Sequence, residues 1–400
     1  MKTFLWISVL LVLSAGFAQA GWVRQTSGTT SNFRSVHFPV DVQTGYAVGS
    51  SGTILKTTDG GTNWVFQISG TTHDLNSVHF PVDAFTGYTV GDSGTILKTT
   101  NGGLNWASQT RRTDYLYSVH FPVDAQTGYV AGGHGTILKT TNGGANWDSL
   151  SPVTGYIFYS VYFPGNSQTG YVVGTQATIY KTSNGGAFWM RQNPPGGPNT
   201  YLSSVAFPVD DQTGYVVGFL FHTILKTTNG GAGWDTLRSG TFHDLFSVQF
   251  PVDPQTGYVM GGTGTILKTT DGGTNWVNQT SGTTYNLWSV HFPVDAQTGY
   301  AVGDSGTILK TTDGGTGVEE ETAEVRSKRL EVRITVKPNP FTTFSSVPGQ
   351  EKETFELYDI AGRKVGSYRG DRIGVGLASG VYFLKPEGKD VKPIRVVKLR

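Results

Sequence analysis

Along most of the chain the apolar positions fall into short runs, four to a unit, and the unit repeats. In the first unit Ser35-Val-His-Phe38 alternates polar and apolar positions and predicts a strand. Pro39-Val-Asp-Val-Gln-Thr-Gly45 is a turn by its Pro, Asp and Gly. Tyr46-Ala-Val48 predicts a second strand, and Gly49-Ser-Ser-Gly52 a tight turn. Thr53 to Thr57 predicts a third strand, favoured by β-branched residues. Asp59-Gly-Gly61 turns the chain again, and Trp64 to Gln67 predicts a fourth. We label the four strands A to D, from the inside outwards.

The stretch Thr53-Ile-Leu-Lys-Thr-Thr-Asp-Gly-Gly-Thr-Asn-Trp64 returns six more times. Its lysine falls at Lys56, Lys98, Lys139, Lys181, Lys226, Lys268 and Lys310, a period of 41 to 45 residues. Four strands in a period of this size predict propeller blades, here seven. Six units end in tryptophan: Trp64, Trp106, Trp147, Trp189, Trp234 and Trp276. The seventh runs Asp313-Gly-Gly-Thr-Gly317 and has none. Gly21-Trp22-Val-Arg-Gln-Thr-Ser-Gly28 matches Trp276-Val-Asn-Gln-Thr-Ser-Gly282, so Trp22 to Gln25 is expected as strand D of blade seven. That pairing leaves no open sheet edge in the ring. The fold class expected is all-β: a seven-bladed propeller over residues 21–317, closed by its N-terminal strand, followed by a small Ig-like β-sandwich.

Thr57-x-Asp59-x-Gly61-x-x-Trp64 matches the Asp-box, Ser/Thr-x-Asp-x-Gly-x-x-Trp, of sialidase and sortilin-type propellers. The longer Gly-Tyr-x-Val-Gly…Gly-Thr-Ile-Leu-Lys-Thr-Thr-Asp-Gly-Gly-x-x-Trp resembles the propeller of the photosystem II stability and assembly factor family. The resemblance implies a structural box, whose acidic residue caps a turn and whose Trp packs on the blade. The box positions are Asp59, Asn101, Asn142, Asn184, Asn229, Asp271 and Asp313, with Trp22 completing the tryptophan set. Four blades carry Asn, which makes the same turn hydrogen bonds. A catalytic carboxylate or metal ligand does not tolerate that exchange. A photosystem role is not implied, because such propellers are widespread.

Composition narrows the chemistry. The chain has 400 residues, 55 of them Gly at fixed places in each repeat, which argues for turns. It has no Cys, which excludes disulfides, thiolate catalysis and cysteine metal sites. Residues 21–317 carry 13 basic against 17 acidic side chains, and residues 318–400 carry 16 against 12. Neither balance is a nucleic-acid footprint. At the start, Lys2, the apolar run Phe4 to Leu13 and Ala18-Gln19-Ala20 predict a secretory signal peptide over residues 1–20. The run is too short to span a membrane, and no transmembrane segment is expected in the mature chain.

Sialidase-like chemistry needs a carboxylate pair or a Tyr-Glu pair. The repeats contain no glutamate; the first is Glu319. A two-aspartate glycosidase stays open as an alternative, on the aspartates that break the repeat: Asp92, Asp114, Asp211, Asp244 and Asp304. The lysines are expected to lay their stems on apolar surface and keep their heads in water. His37, His79, His120 and His291 share one position on strand A and are expected to pack rather than bind metal. No nucleotide-phosphate, zinc-hydrolase or serine-nucleophile motif occurs, and no cofactor is expected.

The repeats differ from one another mainly on one rim. The A–B and Asp-box turns are nearly constant, whereas the D–A and B–C loops vary. The residue before Ser-Val on strand A reads Arg34, Asn76, Tyr117, Tyr159, Ser203, Phe246 and Trp288. The B–C loops add His134, Phe219 and Phe221. Aromatics on loops held by a rigid frame predict a ligand-binding face, for glycan or protein. The competing expectation is that they plug the channel.

After Gly317 the composition changes. Residues 318–331 are a charged linker, and residues 332–400 hold short strand-like runs at Val332 to Val336, Thr354 to Tyr358, Gly380 to Leu384 and Ile394 to Leu399. Pro338-Asn-Pro-Phe341, Leu357-Tyr-Asp-Ile-Ala-Gly-Arg-Lys-Val365, Leu377-Ala-Ser-Gly-Val-Tyr-Phe383 and the terminal Val396-Val-Lys-Leu-Arg400 resemble the type A C-terminal sorting domain of type IX secretion. That resemblance implies the type IX machinery as a partner and export to the cell surface or beyond. The function expected is non-catalytic binding. The alternatives are the glycoside hydrolase and a structural surface-layer component.

Overall fold

The structure is a computed structural model. It describes residues 21–109, 113–150, 155–219, 223–316, 346–347, 351–359, 363–387 and 394–398. The expected signal peptide, the linker and the run Val332 to Val336 lie outside these residues. The chain divides into two compact units, Met1–Glu320 and Glu321–Arg400.

The first unit is the seven-bladed propeller: seven four-stranded antiparallel sheets. In blade one the strands are Phe33–His37, Gly45–Gly49, Ile54–Thr57 and Val65–Gln67, paired in that order. Among the described residues blade seven draws three strands from its own repeat, the third being Ile308–Thr311. Val23–Gln25 is its fourth, with Val23 opposite Lys310 and Gln25 opposite Ile308. Trp22 is buried at this seam, edge-on to Tyr258 and Phe292.

The constant residues of the repeat do their work between blades. Strand B is buried along its length. A Cβ on Gly45 would lie 2.4 Å from the ring of Phe38, and the same holds for Gly87 against Phe80 and for the five other Gly-Tyr pairs. The glycine therefore makes room for the ring that leaves strand A. Tyr46 stacks on Phe80 of the next blade at 4.0 Å, and Trp106 meets that Phe edge-on at 6.0 Å. Such pairs add about 0.5–1.5 kcal/mol beyond their buried area.

Within the box, Thr57 Oγ1 accepts from Gly61 N at 2.9 Å, and Asp59 Oδ1 accepts from Asn63 N at 2.9 Å. In blade two Thr99 and Asn101 make the same two bonds at 2.9 and 3.0 Å. An amide oxygen thus serves where a carboxylate oxygen does. Gly60 N donates to Gln43 O at 2.9 Å, which joins the box turn to the A–B turn on one rim.

The lysines correct the sequence expectation, since their heads are not left to water. Lys56 Nζ donates to Gly102 O, in the box of the next blade, at 2.8 Å, and Tyr46 OH lies 3.0 Å from the same oxygen. Lys310 completes the circle by donating to Gly60 O at 2.7 Å. The buried carbonyl in the last turn of the box is thus met by two donors of the neighbouring blade, Tyr46 from strand B and Lys56 from strand C.

The second unit, among the described residues, is one antiparallel sheet in the order Lys364–Arg369, Thr354–Tyr358, Gly380–Pro386, Ile394–Lys398. Val347, Phe355, Leu357, Ile373, Leu384 and Val396 are buried together against it. The strand Lys364–Arg369 was not expected from sequence: Lys-Val-Gly-Ser-Tyr-Arg is polar and mostly exposed, so it lacks an apolar face.

Candidate ligand-binding face

Strand A of every blade carries a β-bulge. Its pairing with strand B skips one residue, between Phe33 and Ser35 in blade one and at the matching place in the other six. The skipped residues are Arg34, Asn76, Tyr117, Tyr159, Ser203, Phe246 and Trp288, the seven variable positions. A bulge breaks the two-residue pleat and re-aims a side chain. Phe33 and Val36 accordingly enter the core while Arg34 and Ser35 are both only half-buried. The alternation read from Ser35 onward misses this, because the apolar spacing Phe33, Val36, Phe38 changes from three to two.

All seven bulge residues line one cavity of about 470 Å³, together with Asp74, Asp92, Tyr115 and Phe219. One wall is aromatic. Phe246 stacks on Trp288 at 4.1 Å, Phe219 lies 6.3 Å from Phe246 and 5.5 Å from Tyr159, and Tyr159 lies 5.3 Å from Tyr117. The other wall is polar. Arg34 sits over the Trp288 ring at 4.3 Å, and Asn76 Nδ2 donates to Asp92 Oδ1 and to Leu116 O, each at 2.9 Å. Trp288 is held by its Nε1–H to Asp304 Oδ1 at 2.7 Å, and Ser203 Oγ donates to Leu245 O at 2.8 Å. Burial pushes the Tyr159 hydroxyl up to about 12, with Tyr117 and Tyr201 adding to it. Burial, then Asp92 and Tyr115, also raise Tyr117.

Other residues of the expected face fall elsewhere. His134 does not line the cavity: it stands at the tip of its B–C turn with φ 53°, 82% exposed, 3.5 Å from Asp114. Its variability marks a turn tip, not a wall. Phe221 lies outside the described residues. Asp211 is on the opposite rim, where its carbonyl accepts from Tyr171 OH. Asp74 and Tyr115 were missed, because they sit in D–A segments that read as turns. Asp74 and Asp92 share the cavity, and Asp74 Oδ1 already accepts from Ser51 N at 2.8 Å.

A larger depression, about 660 Å³, lies at the D–A loops around Arg24, His243 and Tyr285. Its wall Ser281-Gly-Thr283 repeats Ser27-Gly-Thr29 and Ser69-Gly-Thr71, each with the serine Oγ bonded to the threonine carbonyl at 3.1 Å. Repetition makes it scaffold, and the smaller cavity is the individual one.

No curated protein matches the chain in sequence. The solved structures that match its fold include two of YCF48. YCF48 from Cyanidioschyzon merolae is 21% identical, with a TM-score of 0.61, over 73% of this chain and 99% of that one. YCF48 bound to D1 peptide is 20% identical, with a TM-score of 0.61, over 74% and 97%. The family model described as photosynthesis system II assembly factor YCF48 matches residues 15–109, 67–154, 152–242 and 233–319. Those matches span all seven blades, and the chain belongs to that family.

Proposed function

We propose that this propeller is a non-catalytic binding module that takes a peptide segment of a partner protein into the cavity on its variable rim. One observation carries the reading: the strand A position that is different in nearly every blade is a bulge in all seven, and all seven bulge residues line one cavity. A repeat array selected only for its frame has no reason to vary there. An aromatic wall facing Arg34, Asn76 and Asp92 suits an apolar side chain flanked by polar backbone. A relative solved with a bound peptide supports peptide over glycan. The signal peptide and the sorting-domain resemblance support export by a type IX route, with binding at or beyond the cell surface.

The test is a peptide and glycan array probed with the protein and with a Tyr117, Tyr159 and Trp288 triple alanine variant. Peptide hits lost in the variant support the reading, and glycan hits lost in the variant replace the ligand class. Hits that survive place binding elsewhere. A second reading rests on Asp74 and Asp92 sharing the cavity: a two-aspartate glycosidase. Turnover of aryl glycosides that disappears in Asp92→Asn would favour it over simple binding.

A further inference from the structure

A second ring of side chains faces the lumen, at the end of strand A away from the bulges. The last residue of strand A is His37, His79, His120, Tyr162, Ala206, Gln249 and His291 in blades one to seven. The four histidines therefore form an unbroken arc over blades seven, one, two and three. Neighbouring imidazole centroids are 4.6 Å (His291–His37), 4.9 Å (His37–His79) and 5.1 Å (His79–His120) apart.

Each imidazole is fixed in one tautomer. Nδ1 of His291, His37, His79 and His120 accepts the backbone N–H of Phe38, Phe80, Phe121 and Phe163, one blade further on, at 3.2 to 3.4 Å. The ring proton is therefore on Nε2. No partner for any of the four Nε2 atoms is found among the described residues, and none of them is a buried unpaired atom. Each Nε2–H opens on the lumen.

Gln249 shows that the interblade bond does not require histidine. Its Oε1 accepts Phe292 N at 2.7 Å, and its own Nε2 turns back to Phe292 O at 3.4 Å. What the histidines add is a donor aimed into the lumen. The same tautomer disfavours a metal, which needs a bare Nε2 and would move the proton onto Nδ1, against the Phe N–H. Among the described residues no group of three or more His, Cys, Asp or Glu is arranged to hold one. The other groups at this level are Tyr162, whose hydroxyl donates to Phe207 O, Ala206 and Gln249. Above them lie Ser35, Ser77, Ser118 and Ser289, each accepting a backbone N–H from the next blade. Among the described residues no carboxylate bonds any of the four donors.

We propose that this arc is a binding site for a small oxyanion, held by the Nε2–H groups of His37, His79, His120 and His291. The empty arc resists charging: burial lowers His79 to about 4 and His291 to about 3, and holds His37 and His120 well below the usual range. A bound anion supplies an opposite charge, but a proton taken up goes to Nδ1 at the cost of the bond from the Phe N–H, so binding rests on the neutral Nε2–H donors. The sign follows from linkage. These folded-state values lie below the unfolded value, so stability is full above about pH 6.5 and falls as pH drops towards the folded values. An oxyanion offsets that fall.

The experiment uses the full chain labelled with ¹⁵N-histidine, titrated with sodium sulfate or sodium acetate against sodium chloride of equal ionic strength, at pH 7 and pH 5. The comparison is a His37→Gln, His79→Gln, His291→Gln variant, which copies Gln249 and keeps the interblade bonds. Saturable shifts of the Nε2 signals with sulfate, no weaker at pH 5 than at pH 7, are expected. The sulfate-induced rise in melting midpoint at pH 5 should be larger in the wild type than in the variant. Acetate matching sulfate identifies a general carboxylate site, and sulfate alone a tetrahedral one. Trp288→Ala should leave the response intact. Histidine signals that do not saturate, or an equal sulfate effect in the variant, overturn the site. If the variant does not fold, the wild-type titration decides.

Discussion

The two rims of this ring are built from one repeat but obey different rules. On the constant rim every blade does the same thing: Gly45 clears the Phe38 ring, Tyr46 and Lys56 reach the next box, and Trp106 seals the seam. On the variable rim the bulge residue changes from Arg34 to Trp288 without altering the bulge. The first rim is fixed by what the next blade needs. The second is held to no single residue type: Asn76 and Ser203 still bond the next blade, but the other bulges keep the same backbone with quite different side chains. Stability and recognition are thus separated by about one strand length, and substitutions should sort by rim.

The largest effect is expected at the closing seam. Deleting residues 21–27 removes Trp22 and the pairing of Val23–Gln25, and should destabilise the ring by about 4 kcal/mol or more, since truncating a buried Trp alone costs about 3–5. An unchanged melting transition would refute closure by this strand. Next is Gly45→Ala, which forces Phe38 out of its seat and should cost about 1–3 kcal/mol in denaturant melts. Lys181→Met breaks the bond to Gly230 O and should cost about 1 kcal/mol. A melt indistinguishable from wild type would put the lysine heads back in water.

Across the ring, Trp288→Ala should move stability by less than about 1 kcal/mol while weakening ligand binding at least about tenfold. Equal losses in both would erase the distinction between the rims. The smallest effect is Asp59→Asn, expected within about 0.5 kcal/mol, because Asn101 already makes the box bonds with an amide.

Most of the frame was legible because the repeat reports it seven times. Strand positions, the box and the missing tryptophan are all visible as differences between near-identical units. The bulge was not, because Phe33, Val36 and Phe38 fit neither a two-residue nor a helical period. The lysine bonds were not, because a lysine opposite Tyr46 across the ladder looks like any half-buried cation until the neighbouring box carbonyl is placed beside it. A cue was available: Tyr and Lys keep an offset of ten residues in six units and eleven in the fifth, a regularity a solvated head does not require. The seven variable positions were legible as a set, but Asp74 and Tyr115 reach the cavity only through the fold of their loops.

The closing strand also sets an order of assembly. Val23–Gln25 is the first propeller strand to be synthesised and the last to find its partner, because Ile308–Thr311 comes at the end of the ring. Until then it travels as an unpaired β-edge among strands that resemble its destination. Trp22-Val-Arg-Gln25 differs from Trp276-Val-Asn-Gln279 at one position, so strand C of another blade, or of another chain, is a near-equivalent acceptor. Strand exchange between molecules, rising with concentration, is the misassembly written into this ring.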